Sequence, residues 1–155
     1  MNHWQVSDVL PHSGEMILLD DIVSYGPDDI VCTRAVRSGD AFVSPDGSLP
    51  AWVGVELMAQ AIAAWSGCQS RDAGQPVRLG FLLGSRSYQC TTDTFPADAT
   101  LRIAATRQFN DDDGMGVFAC EITGAGARAQ ARLTVFSPQD TTLFAQSDHP
   151  EIRHV

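Results

Sequence analysis

The 155-residue sequence predicts an α+β fold in which a curved antiparallel sheet wraps around one long central helix. Two observations predict it. The stretch Leu49–Gln69, LPAWVGVELMAQAIAAWSGCQ, is apolar or small at nearly every position, with Glu56 its lone charge. It reads as about six helical turns, roughly 30 Å at 1.5 Å per residue, and the missing polar face predicts burial on nearly all sides. Outside it the period becomes extended: two strands precede the helix and four follow, joined by short turns. One sheet cannot cover every side of a helix, so the pattern also predicts that two copies pair to bury what remains.

Taken in order, Trp4–Leu10 is a short helical turn stopped at Pro11, and His12-Ser13-Gly14-Glu15 is a turn. Met16–Tyr25 is the first strand, Gly26-Pro27-Asp28-Asp29 a run of turn formers, and Ile30–Val36 the returning strand. Ser38–Ser48 is a loop, sharpest at Ser44-Pro45-Asp46-Gly47. Pro50 suits the first helical turn, where a missing N–H is harmless, and Gly67 with the polar run from Gln69 to Gly74 ends the helix. Val77–Thr92 is a long strand, apolar around Leu79–Gly84, which predicts cover on both faces or a subunit contact; its two glycines suggest a bulge or close backbone approach. Phe95–Asp98 turns into the strand Thr100–Phe109, and Asn110–Gly114 is a solvated acidic hairpin loop. Met115–Thr123 and Arg128–Phe136 form the last hairpin around Gly124-Ala125-Gly126. Residues 1–137 make one domain, and 138–155, polar and without period, a loose C-terminal tail.

The net charge is −9, and every basic residue is Arg. Nucleic acids and anionic membranes require a basic face, so neither is an expected partner. No basic segment followed by an apolar one opens the chain, and Glu56 and Gln60 interrupt the central apolar run, which argues against a secretory signal or a membrane span. A cytoplasmic protein is expected. Cys32, Cys68, Cys90 and Cys120 lack any C-x-x-C pair and read as small buried hydrophobes in a reducing compartment. His3, His12, His149 and His154 show no ligand spacing with them, so no metal site is expected.

A carboxylate inside an apolar helix is expensive unless paired, hydrogen-bonded or neutralised. Glu56 is therefore either a structural carboxylate, satisfied by backbone donors or a partner subunit, or an acid or base tuned by an apolar pocket. Gln60, four residues on, shares its helical face and is either a partner for Glu56 or an inert polar cap.

Several motifs carry a resemblance. Leu10-Pro11-His12 followed by Met16-Ile17-Leu18-Leu19-Asp20 is similar to the opening of the FabZ-type 3-hydroxyacyl acyl-carrier-protein dehydratases. Pro50–Gln60 resembles their central-helix motif P-G-x-x-x-x-E-x-x-A-Q, Phe95–Leu101 their V-P-G-D-x-L turn, and Ala129–Leu133 their closing strand. The match covers residues 7 to 136, and the subgroup it looks most like is the ApeP-like dehydratases of aryl-polyene pathways. The resemblance implies a hot-dog fold and dehydration of a 3-hydroxyacyl thioester to the 2-enoyl thioester in fatty-acid or polyene-type biosynthesis. It implies no metal or redox cofactor, because the substrate rides on the phosphopantetheine arm of an acyl carrier protein. It also implies a homodimer or a dimer-based oligomer.

One departure stands out. The family's catalytic histidine lies in H-F-P-G, and counting back from Glu56 by the family's spacing lands on Phe42, in Ala41-Phe42-Val43-Ser44-Pro45. The site implied by the resemblance is then Glu56 as acid or water-orienting group, the Ala51 backbone N–H as oxyanion donor, and His12 as replacement base. The family also has a histidine at the His12 position beside its catalytic one, which points equally to a structural role. Gln60, Phe42 and Trp52 are expected on the substrate side; Trp52, Met58 and Trp65 line either an acyl tunnel or simply the core. Arg71, Arg78 and Arg86 are candidate docking residues for an acidic carrier protein. Two other readings stay open, both favoured by the missing histidine: a hot-dog thioesterase, and a non-catalytic subunit that stabilises an active dehydratase.

Overall fold

The computed structural model describes residues 4–11, 14–77, 80–136 and 153–154. Helix α1 (Val6–Val9) is one turn, held at its start by the Asp8 carboxylate accepting from the Gln5 N–H, and it stops before Pro11. A short 3₁₀ turn (Gly14–Met16) leads to β1 (Asp21–Tyr25) and β2 (Asp29–Ala35). Then come β3 (Leu49–Pro50), α2 (Val53–Asp72), β4 (Phe81–Cys90), β5 (Thr94–Phe95), β6 (Thr100–Asn110), β7 (Met115–Gly124), β8 (Ala127–Phe136) and β9 (Arg153–His154). The large sheet has the order β1-β2-β6-β7-β8-β4-β9, antiparallel throughout, and β3 pairs with β5 beside it. Register slips in β1, β4 and β6 bend it, and α2 lies in the hollow.

The alternation of β8 places Ala127, Ala129, Ala131, Leu133 and Val135 inward, and β7 does the same with Gly116, Phe118, Cys120 and Ile122. Against them α2 buries Leu57, Met58, Ala61, Ile62, Ala64 and Cys68. Small residues let the helix sit close. A β-carbon at Gly67 would collide with the Val9 carbonyl oxygen, so glycine is what allows α1 to cross α2.

Several expectations about local structure are corrected. Leu49 and Pro50 are strand, because they pair with Phe95 and Thr94; α2 therefore starts at Val53. It also runs one turn further, to Asp72, whose carboxylate accepts from Trp4 Nε1 (2.9 Å) and the Tyr25 hydroxyl (2.8 Å). Gly74 at φ 71° closes it, with the Gly74 and Gln75 N–H groups returning to the Arg71 and Ser70 carbonyls. The first strand is shorter than expected because backbone groups of Met16 and Leu18 bond to buried side chains instead of a neighbouring strand. At the far end of the chain, Arg153–His154 pairs with Phe81–Leu82, an element absent from the sequence reading; residues 137–152 lie outside the described set. No helix among the described residues is long and apolar enough to cross a membrane.

Burial pushes the Cys32, Cys68 and Cys120 thiols up to about 12, whereas Cys90 is only half-buried. The thiolate is the nucleophile. Iodoacetamide at pH 8 is expected to alkylate Cys90 first in the native protein and all four cysteines after unfolding, read as stepwise mass gain.

Candidate active site

The region identified from the sequence lies where the loop after β2 meets the first turn of α2. Phe42, at the position counted for the family's histidine, takes a left-handed backbone with φ 68°, an uncommon state for a bulky residue. Its ring is 51% exposed and meets the 59% exposed ring of Trp52 edge-on at 5.6 Å. Glu56 is exposed one turn further along α2 and carries no hydrogen bond or ion pair to any described residue. The helix is covered on nearly all sides, as the sequence predicts: within Val53–Asp72 only Glu56, Arg71 and Asp72 are exposed, so the opening is local, at the first turn beside Trp52.

The Ala51 N–H, expected to face an oxyanion, donates instead to the Asp93 carbonyl at 3.0 Å and extends the β3–β5 pairing. The next amides, of Trp52 and Val53, have no acceptor among the described residues, as the first N–H groups of a helix characteristically lack one. The free donors are therefore one and two residues beyond the expected one.

Gln60 is buried, and the structure does not bring its amide to Glu56. Its Oε1 accepts from the Leu18 N–H at 2.8 Å and its Nε2 donates to the Met16 carbonyl at 2.6 Å. The Leu18 carbonyl accepts in turn from Arg34 Nη1 at 2.7 Å, and Arg34 Nη2 reaches Asp40 at 3.2 Å. Arg34 is 6% exposed, with its Nε–H buried and unpartnered among the described residues. A polar brace therefore runs from α2 through Leu18 to Asp40, two residues before Phe42. Asp20 closes it from outside, binding Arg37 at 2.7 Å and the Ala35 N–H at 2.7 Å. A cleft of about 410 Å³ lies against Arg34, Asp40 and Ala41.

His12 and Arg78 lie outside the described residues. Arg71 donates to the Asp8 carbonyl at 3.0 Å and ties α1 to α2. Met58 is fully buried, and Trp65 packs on Phe118, under Arg107 and against the Gly26 carbonyl, as part of the body. The sequence reading missed Tyr88, whose hydroxyl donates to the Ala51 carbonyl. The available signal was Gly54, a helix-weakening residue inside a helix, where a β-carbon would collide with that hydroxyl. Among the described residues no cluster of His, Cys, Asp or Glu could hold a metal ion.

Comparison with known proteins follows the same lines. No curated protein sequence matches the chain. Among solved structures, the dehydratase heterocomplex ApeI:P from Xenorhabdus doucetiae matches with a TM-score of 0.85 and 29% identity, over 94% of this chain and 98% of that one. A hypothetical thioesterase with coenzyme A from Streptococcus pneumoniae matches with a TM-score of 0.60 and 17% identity, over 76% of this chain and 84% of that one. The PaaI protein of the Escherichia coli phenylacetic acid degradation operon gives 0.53 and 18%, over 75% and 81%. At those last two identities the likeness is one of fold, and the fold is the hot-dog. The ApeP dehydratase family model matches residues 4–146, and with it the chain belongs to the ApeP-like dehydratase family.

Proposed function

We propose that the chain is the Glu56-bearing subunit of a dehydratase acting on a 3-hydroxyacyl thioester held on the phosphopantetheine arm of an acyl carrier protein. The observation that carries this reading is the exposed Glu56 carboxylate beside Trp52 and Phe42, which has no hydrogen bond or ion pair among the described residues, next to two amides that have no acceptor among them. In the reaction a base takes the C2 proton and the electron pair of that bond becomes the C2–C3 double bond. The Glu56 carboxyl delivers a proton to the C3 hydroxyl, which leaves as water. The Trp52 and Val53 N–H groups face the thioester oxygen as it gathers negative charge.

The base comes from His12 or from a second subunit seated on the rim. Two exposed aromatic rings at the edge of the site support a second subunit, and the similar Xenorhabdus structure is a heterocomplex of two components. A partner of a different sequence is therefore proposed ahead of a second copy. Phe42 favours one further reading, a non-catalytic subunit, because a phenyl ring at the histidine position cannot take a proton.

The test follows the mass of a 3-hydroxyacyl carrier protein with the purified chain alone and with its co-purifying partner. Loss of one water is expected. Abolition by His12→Ala assigns the base to His12, and retention assigns it to the partner. Release of free acid would mean a thioesterase. Water loss that needs the chain but neither Glu56 nor His12 would make the chain a non-catalytic subunit.

A further inference from the structure

We infer that Tyr88 is a positioning residue for this site: its hydroxyl holds the Ala51 carbonyl and thereby sets the direction in which the Trp52 N–H is presented. The inference rests on the function proposed above and adds a residue that neither the family motifs nor the sequence reading assigned.

Three features of the chain converge on this one hydroxyl. In β4 the ladder with β8 slips between Arg86 and Gln89, and Ser87 sits at φ 58°. A bulge of this kind re-aims the side chains beside it, and here Tyr88 is the half-buried residue that reaches across to α2. On the helix side, Gly54 leaves the space that the hydroxyl occupies; an added β-carbon would also stand 3.1 Å from Tyr88 Cζ and 3.2 Å from Ile122 Cδ1. A left-handed serine, a broken ladder and a helical glycine each work against local stability. All three serve the same contact.

The contact locks one peptide. The Ala51 carbonyl accepts from the Gly54 N–H at 3.0 Å as well as from Tyr88, while the Ala51 N–H is held by Asp93. The Ala51–Trp52 peptide is trans, so the Trp52 N–H points opposite to the Ala51 carbonyl and away from Tyr88. Burial pushes the Tyr88 hydroxyl up to about 12, which keeps it a neutral donor throughout the neutral range.

Tyr88→Phe keeps the ring above Gly54 and removes only the oxygen. On the subunit assembly that supports turnover, it is expected to lower kcat about ten- to a hundredfold, with KM within about twofold and native circular dichroism. Nuclear magnetic resonance separates this from a general loosening. The Ala51 carbonyl carbon should shift in the variant, and a saturated acyl-pantetheine thioester, which cannot lose water, should move the Trp52 amide proton in wild type and less in Tyr88→Phe. If wild type turns over and Tyr88→Phe matches its kcat, or the Ala51 carbonyl resonance is unchanged, the positioning role is overturned alone. If wild type neither turns over nor shows a Trp52 response, the proposed function falls, and this role with it.

Discussion

Glu56→Gln is expected to reduce kcat for water loss by about 10²–10⁴-fold, the range for removing one general acid or base. The substitution is nearly isosteric and takes away only the transferable proton. Glu56 is exposed and has no hydrogen bond or ion pair to a described residue, so its replacement removes no such bond from the described fold; the thermal midpoint should match wild type. An acid that acts only as the C3 oxygen departs contributes in the transition state and little before it. The loss should therefore appear in kcat and kcat/KM alike, with KM preserved. Glu56→Asp draws the carboxyl back by one methylene and should recover part of the rate. Single-turnover kinetics on the carrier-bound substrate measures all three proteins. Wild-type turnover in Glu56→Gln would remove Glu56 from the role of acid.

Gln60→Leu should lower the unfolding free energy by about 1–3 kcal/mol. Leucine has the volume but can neither accept from the Leu18 N–H nor donate to the Met16 carbonyl; the buried Leu18 N–H left unpaired costs about 1–3 kcal/mol, and the part-buried Met16 carbonyl costs about 1 kcal/mol. The added apolar burial offsets about 1 kcal/mol. Because the Leu18 carbonyl is the next link, through Arg34 to Asp40, the damage should extend to the loop that carries Phe42. Urea titration gives the energy, and amide exchange at Leu18 gives the place. A midpoint shift worth less than about 0.5 kcal/mol would mean that water enters and takes over both bonds.

These two glutamine and glutamate positions also divide what was legible in the sequence from what was not. The hot-dog architecture was legible because its signals are local: alternation in β6, β7 and β8, turn formers at Gly26-Pro27 and Gly124–Gly126, and one long apolar run. The motifs around Pro50–Gln60 and Phe95–Leu101 carried the family. Side-chain spacing also placed Glu56 and Gln60 on one helical face, since a four-residue step must.

Tertiary contact alone decided their environments. Gln60 is buried because the segment leading into β1 brings the Met16 and Leu18 backbone to it. Glu56 is exposed because it lies near the first turn of α2, at the end of a helix that is otherwise buried or half-buried as far as Ser70. An apolar helix in sequence does not reveal whether its own chain or a partner covers it, since both present the same composition. The start of α2 shifted for a similar reason: Leu49 and Pro50 found Thr94 and Phe95, distant in sequence, and that pairing took the Ala51 N–H. Tyr88 read as one more strand residue, because the bulge that aims it depends on the register between β4 and β8. Sequence by itself determined which helix bears the family motif; register and packing decided which of its groups are left without partners among the described residues.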